Sequence, residues 1–294
     1  MDVHAKLKGG LANQMFIAAA GMALSSRLGC GLVLDASNYS NSNEVRELEI
    51  EVFQELKSCI KFETPSVLGR FAKLNKKFNP RSVHKASNVF LENGFSYDDR
   101  FTEIQEPVFL DGYFQSLRYF VDVENKVQDV FQDPTENPVQ IQIASEVGNN
   151  FNAIHVRRGD YMNPLTSAFH GVCDSSYFMR GLETIEKITG ENMPVVCFTD
   201  SPKEISDDLK RKIDFIVDPE VGRSYHHMFA MRSAKHLVMS NSSFSWWAAY
   251  LGNREDRVVI APRPWFQQGD TSASDLILPN WLSLGARNWT SAGD

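Results

Sequence analysis

The sequence predicts an α/β protein built as two Rossmann-like halves, and three observations predict it. The chain opens on a strand pattern, a double glycine, a long helix pattern and a second apolar run, which together make a βαβ unit. From about residue 139 onward, strand patterns alternate with helix patterns, as they do around a parallel sheet. Between the two regions lies Asp133-Pro134-Thr135-Glu136-Asn137-Pro138, polar and proline-rich, which reads as a linker. The expected domains are therefore 1–135 and 139–294, and a length of 294 residues suits two domains better than one.

In the first half, Val3 to Lys8 alternates apolar and polar residues and reads as a strand ended by Gly9-Gly10. Leu11 to Leu28 reads as a helix with Met15, Ala18, Ala19 and Met22 on one face and Gly29 as its stop. Gly31 to Asp35 reads as the next strand. Residues from about Asn38 to Glu106 are polar and broken and yield no clear pattern. Pro107 to Gly112 reads as a strand and Phe114 to Phe131 as a helix. In the second half, strands are expected at 151–157, 194–199, 213–217, 236–240 and 257–261, and helices at 139–148, 175–189, 202–211, 223–235 and 243–252.

Composition narrows the function. A 43% hydrophobic and 23% charged chain is ordinary for a globular enzyme. The net charge of -7 argues against a nucleic-acid partner, which calls for a basic domain. No window approaches ~18 consecutive apolar residues, and the N-terminus lacks an apolar core of the signal-peptide type, so a cytoplasmic protein is expected. Cys30, Cys59, Cys173 and Cys197 are scattered without a CxxC and read as reduced, packed thiols. In that compartment the sequons at Asn38, Asn241 and Asn288 carry little meaning.

Four constellations can carry chemistry. His155-Val156-Arg157-Arg158-Gly159-Asp160-Tyr161 follows a buried-strand pattern, and arginine is rarely buried without a partner. Its planar fork fits phosphate or carboxylate, and the carboxyl ends of strands in open α/β sheets are where ligands bind. The bland alternative is that Arg157 and Arg158 are structural, paired with Asp160 or another acid. His155 and Arg157 should face one side of the strand, with Val156 and Arg158 on the other. His155 is either an anion donor or a satisfied core histidine, and Asp160 either a general base or a holder of arginine.

Gly9-Gly10-Leu11-Ala12-Asn13-Gln14 lets backbone approach a ligand and aims a helix start at it, although it lacks the marks of a Walker loop or GxGxxG. It serves equally as a plain tight turn. Ser240-Asn241-Ser242-Ser243-Phe244 offers hydroxyls and helix-start amides to phosphate, or simply caps a helix. Trp246 and Trp247 behind it read as packing rather than as a sugar platform. Asp200, at a strand end in Phe198-Thr199-Asp200-Ser201, can bind ribose or a purine edge, cap the helix near Pro202, or do both. Three anion-receptive strand ends suit a diphosphate.

The motifs GGLANQMF, DGYFQSLRYF, HVRRGDY, FTDS and SNSSFSWWAAYLG stand in the order and spacing of the α-1,2-fucosyltransferases of glycosyltransferase family 11. The chain resembles that family from Gly9 to about Trp265. The resemblance implies a GT-B-like α/β architecture, two Rossmann-like domains with the active site in the cleft between them. The N-terminal domain would lie on the acceptor side and the C-terminal domain would bind the donor. It implies an inverting transfer of L-fucose from GDP-β-L-fucose to the 2-hydroxyl of a terminal galactose, with no cofactor and no divalent metal.

By resemblance, Arg157 grips the β-phosphate, with Arg158 supporting it or binding the acceptor side. Gly10 and Asn13 contact diphosphate or fucose, and Asn13 and His155 count with Arg157 among both catalytic and donor-binding candidates. Ser242, Ser243 and Phe244 cradle GDP, and Asp200 takes ribose or guanine. Asp160 and His155 are the candidate bases, and a path with no dedicated base is open. Two positions depart from the family pattern. Ala12 replaces a third glycine, harmless if position 12 opens the helix and harmful if its φ is positive. His226 or His227 replaces a usual acid, which touches how guanine is recognised. The acceptors left open are lactose, N-acetyllactosamine, a galactose–N-acetylgalactosamine disaccharide and a lipid-linked O-antigen repeat. The last would bring weak peripheral membrane association. The alternatives are a related transferase with another donor or linkage, and a nucleotide-binding or lectin-like module without turnover.

Overall fold

In the first unit, Met1–Pro134, strand β1 (Val3–Lys6) feeds helix α1 (Leu11–Leu28), which returns to β2 (Leu32–Asp35). A short helix α2 (Ser37–Ser40), β3 (Ile60–Lys61), β4 (Val89–Leu91), β5 (Phe109–Asp111) and helix α3 (Glu124–Val130) complete it. The computed structural model describes residues 1–40, 46–62, 88–133, 136–159, 170–266 and 273–286. The five strands run parallel in the order β3-β2-β1-β5-β4.

Helix α1 starts and stops where the sequence predicts, but it is buried on nearly all sides rather than along one stripe. It lies on β1 and β2 with short 3-10 turns packed on its far side. A helix apolar all round belongs in such an interior. Gly21 permits the close approach, since a Cβ there would come within 2.7 Å of Leu32 Cδ1. Gly29 ends the helix in the left-handed region with φ 63°, its N–H bonding the carbonyls of Ser25 and Ser26.

The helix expected over Phe114–Phe131 is instead two 3-10 turns, Leu117–Tyr119 and Val121–Val123, followed by α3. Phe114 has φ 53° and Ser116 is extended, so no helix can cross them. Ser116 Oγ accepts from Arg118 N at 3.2 Å and restarts the chain as a turn. The apolar spacing that imitates a helix reflects separate burial of Phe114, Tyr119 and Phe120. Strand β4 escapes the sequence reading because its three residues lie in the polar, broken stretch from Asn38 to Glu106.

The second unit, Thr135–Asp294, begins with α4 (Pro138–Val147), capped by Asn137, and β6 (Asn152–Val156). Then come α5 (Ser175–Thr189), β7 (Val195–Thr199), α6 (Asp207–Lys210), β8 (Phe215–Ile216), α7 (Ser224–Ser233), β9 (His236–Val238), α8 (Ser243–Leu251), β10 (Val259–Arg263) and β11 (Leu282–Gly285). The expected helix 202–211 is a 3-10 turn plus α6, because Ile205 is extended and Ser206 caps a new start by accepting from Leu209 N.

The six strands are parallel in the order β8-β7-β6-β9-β10-β11. Counted within the unit, that is third, second, first, fourth, fifth, sixth, the doubly wound Rossmann order. Every residue of β6 and β7 is buried, as suits central strands covered on both faces. Ile154, Val156, Cys173, Tyr177, Phe178, Cys197, Val238 and Ile260 form the core on one face. Arg257 fixes the far ends of two helices, donating to Met231 O and Arg232 O of α7 and to Ala248 O of α8. A cation there also meets the negative ends of both helix dipoles. Trp246 and Trp247 are wholly buried, so they pack and offer no platform. The four cysteines form no disulfide, Cys173 and Cys197 being buried and Cys30 and Cys59 half-buried. Among the described residues no helix is long and apolar enough to cross a membrane.

Candidate active site

In the second unit the strand order reverses between β6 and β9, and ligands of open α/β sheets bind outside the carboxyl ends at such a point. Arg157 follows β6, Asp200 follows β7 and the serine turn follows β9, so three neighbouring strand ends carry the predicted residues.

Arg157 and Arg158 diverge. Arg157 Nη1 pairs with Asp200 Oδ2 at 2.7 Å, with both side chains part-exposed. Arg158 is 7% exposed, and its Nη1 donates to Arg157 O at 3.1 Å. It lies in the electrostatic reach of Cys173 and Cys197, on the face that Val156 shares, and burial pushes its pKa downward. Arg157 alone of the pair lies where an incoming anion can share its charge.

Asp200 does not cap the turn at Pro202, whose N-cap is Ser201 without a side-chain cap bond. Asp200 Oδ1 accepts from Arg158 N at 2.9 Å and Gly159 N at 3.1 Å while Oδ2 holds Arg157. Gly159 must lack a side chain, since a Cβ would stand 2.5 Å from Asp200 Oδ2. Asp200 is thus the acid that shapes the arginine turn, a role the sequence left to Asp160 or another acid. Asp160 itself and Tyr161 lie outside the described residues.

His155 is buried, with Nδ1 2.9 Å from Ser240 Oγ and its ring 5.7 Å from that of Phe244. Burial, reinforced by the charge of Arg157, holds its pKa down at about 3. The imidazole is therefore neutral near pH 7, and so weak a base is a poor acceptor for a hydroxyl proton. The geometry makes His155 a spacer that ties β6 to the serine turn.

In that turn, Ser242 caps α8 by accepting from Phe244 N at 3.3 Å. Ser245 Oγ bonds back to Ser240 O and Ser242 O. Ser243 and Phe244 are half-buried at the positive end of the helix, where backbone amides favour an anion. Asn241 is a staple that sequence reasoning did not assign. Its Nδ2 donates to His170 O at 2.7 Å, Gly171 O at 3.3 Å and Trp265 O at 3.1 Å. A buried amide with several backbone partners has no side-chain signature in sequence.

His226 and His227, the two candidates for the departure from the family pattern, are also placed. His226 Nδ1 accepts from Arg223 N at 2.9 Å at the start of α7. His227 Nε2 is 2.7 Å from Val221 O, which requires that nitrogen to carry the proton. Burial lowers the pKa of His227, and its charge would be felt at His155.

In the first unit, Gly9 takes φ 72° and Gly10 caps α1. Gly10 O accepts from Asn13 N at 3.0 Å and Gln14 N at 3.1 Å. Ala12 is the second helical residue, so the missing third glycine costs nothing. Asn13 Oδ1 accepts from Gln115 Nε2 at 2.8 Å. In this unit Gln14, wholly buried, is a residue that sequence reasoning missed. Its Nε2 donates to Gly9 O (2.9 Å) and Glu47 O (2.8 Å), and its Oε1 accepts from Glu49 N (3.0 Å) and Ile50 N (2.9 Å). All its hydrogen bonds are internal, so it moulds the glycine turn. Among the described residues no three His, Cys, Asp or Glu side chains gather as a metal-ligand set.

A model of glycosyl transferase family 11 matches residues 76–285, well over half of the chain. The chain belongs to that family. It is 27% identical over 305 residues to an α-1,2-colitosyltransferase of Escherichia coli, covering 96% of this chain and 98% of that one. It is 28% identical over 315 residues to the O-antigen biosynthesis glycosyltransferase WbnK of Escherichia coli, covering 96% and 100%. Among solved structures, fucosyltransferase NodZ from Bradyrhizobium is similar at a TM-score of 0.49 and 12% identity, over 84% of this chain and 91% of that one. The protein is a glycosyltransferase of the α-1,2-fucosyl- and colitosyltransferase type.

Proposed function

We propose that this family 11 enzyme moves L-fucose from GDP-β-L-fucose to the 2-hydroxyl of a terminal galactose, with inversion and without a divalent metal. The observation that carries the reading is Arg157 at the β6–β9 switch point, one strand from the start of α8 at Ser243. An arginine and a helix start suit a diphosphate whose negative charge grows as the bond from the sugar anomeric carbon to the β-phosphate oxygen breaks. In the transfer, that bond's electron pair leaves with GDP. The acceptor 2-oxygen bonds the anomeric carbon from the opposite face. Its proton goes to a carboxylate, for which Asp160 is the remaining sequence candidate once His155 is held neutral and weakly basic. Asp200, which holds Arg157, releases part of that charge to the incoming phosphate.

A second donor is favoured by one observation, the 27% identity across 96% of the chain with an α-1,2-colitosyltransferase. Colitose is fucose without its 3-hydroxyl, so one site can be built for either sugar. WbnK is an O-antigen enzyme, which supports a galactose-terminated O-antigen repeat, lipid-linked and met at a membrane surface, as the acceptor. The test is GDP release from GDP-fucose in EDTA, with a panel of galactose-terminated disaccharides and with none. Acceptor-dependent release is expected. Loss of release in EDTA contradicts the metal-free mechanism. GDP binding without release from GDP-fucose points to the colitosyl donor.

A further inference from the structure

The first unit holds a second strand-end turn to which the transfer reaction gives no role. β5 ends at Asp111 and continues through Gly112-Tyr113-Phe114-Gln115, next to β1, where the order of the first sheet reverses. Its backbone is held out of the ordinary. Phe114 adopts φ 53°, a left-handed conformation that costs a bulky residue energy, and persists only where the surroundings impose it.

The surroundings are visible. Glu92 Oε2 accepts from Tyr113 N at 2.6 Å and Phe114 N at 2.9 Å. Gly112 has no room for a side chain, since a Cβ would stand 2.5 Å from Glu92 Cβ. Phe114 is wholly buried as the anchor of the turn, and desolvation pushes the Glu92 carboxyl pKa upward. Gln115 Nε2 binds Asn13 Oδ1, tying this turn to the glycine turn of β1.

What the clamp presents is chemically specific. Tyr113 stays 36% exposed, large for an aromatic on a braced turn. The Lys8 ammonium lies 4.6 Å from its ring centroid. Lys8 Nζ also donates to Asp111 Oδ1 at 2.9 Å, and Lys6 Nζ stands 3.7 Å from Oδ2. An aromatic ring accepts the C–H face of a pyranose, and a carboxylate beside ammonium groups can share the donors and acceptors of sugar hydroxyls. The two lysines are already drawn to Asp111, so the turn suits a neutral sugar better than a phosphate.

We propose that Asp111, Tyr113 and Lys8 form a saccharide subsite that takes the terminal hexopyranose of the acceptor, with Glu92 as the positioning residue that sets the turn. As an acceptor subsite it rests on the transferase reading above, but sugar binding at Tyr113 can be tested apart from turnover. The experiment is saturation-transfer NMR of lactose and N-acetyllactosamine on the full chain, alongside acceptor KM and thermal shift by GDP. The proteins compared are the wild type, Tyr113→Ala and Tyr113→Phe.

Tyr113→Ala is expected to lose saturation of the galactose ring protons and to raise acceptor KM about tenfold, the scale of one lost aromatic contact. The GDP shift and the melting temperature should stay at wild-type values, and Tyr113→Phe should keep sugar binding within about threefold, since the ring carries the contact. Equal saturation in wild type and Tyr113→Ala, or none in the wild type, overturns the subsite. Sugar binding that depends on Tyr113 in a protein that never releases GDP from GDP-fucose supports the subsite and sinks the fucosyl-transfer reading. Turnover with an unchanged acceptor KM in Tyr113→Ala does the reverse.

Discussion

The β6 turn and the β1 turn both sit at a switch point of a parallel sheet, yet they are built differently. At β6 the shaping group is a charged side chain at the surface, Asp200, which holds Arg157 with one oxygen and two backbone amides with the other. At β1 the shaping group is a neutral, wholly buried amide, Gln14, and the turn itself is glycine backbone. The first arrangement can exchange partners when an anion arrives, because its ion pair is part-exposed. The second cannot, because every bond of Gln14 is internal. The comparison teaches that in one unit the turn is a responsive charge cradle and in the other a fixed shape.

The largest effect of breaking that contrast is expected at Gln14. Gln14→Leu removes four hydrogen bonds to backbone groups. Gly9 O keeps the Tyr39 hydroxyl, and the other three bonds are each worth about 1–3 kcal/mol when buried, so a loss of at least about 3 kcal/mol is expected in denaturant unfolding. A loss below about 1 kcal/mol would show that the turn holds its shape without the clamp.

Acid exposes the next effect. His155 has a folded pKa of about 3 against an ordinary 6.5, so between those values the unfolded chain binds the extra proton. Its contribution to stability is complete above about pH 6.5 and is lost as pH falls toward 3. Melting temperature of the wild type should therefore fall more steeply between pH 6.5 and 4 than that of His155→Asn, once each is referred to its own value at pH 7.5. Parallel curves would mean that the histidine is not buried neutral.

A smaller effect sharpens the comparison at the arginine turn. Asp200→Asn keeps an acceptor for the two amides but removes the negative charge that holds Arg157, and turnover is expected to fall about tenfold with melting temperature within about 3 °C of wild type. Gly159→Ala should lower turnover about as much as Asp200→Asn, because its methyl group would displace the same carboxylate. A Gly159→Ala enzyme of wild-type rate would show that the carboxylate position is not needed. The smallest effect is expected at Glu92→Gln, whose amide oxygen can still accept from Tyr113 N and Phe114 N, and acceptor KM should change less than about threefold.

The contrast also explains what could be read from sequence. Arg157 was legible because a strand pattern ended on an arginine with no packing reason to be there, and Ser242 and the helix start at Ser243 because Asn and Ser are good N-caps. The parallel sheet of the second unit was legible for a related reason, since β6, β7 and β9 are apolar runs set between helix patterns. Gln14, Asn241 and Glu92 were not legible. Each is a polar residue whose partners are backbone groups remote in the chain, and nothing in its neighbours' identity marks that. Asp200 was read as a strand-end acid, but its partner Gly159 lies 41 residues upstream and only the parallel pairing of β6 with β7 brings them together. The false helix over Phe114–Phe131 has the converse cause. Apolar spacing was right, while the left-handed Phe114 and the capping Ser116 decide the backbone.

The most direct test of the central claim, that Arg157 holds the departing diphosphate, is acceptor-dependent GDP release from GDP-fucose by wild type and Arg157→Ala in EDTA, with GDP affinity followed in parallel. A fall in kcat of about 10³-fold is expected, with a smaller loss in GDP affinity, because the contact strengthens as charge develops on the leaving oxygen. Activity of Arg157→Ala within a few-fold of wild type would contradict the account and move the diphosphate site elsewhere.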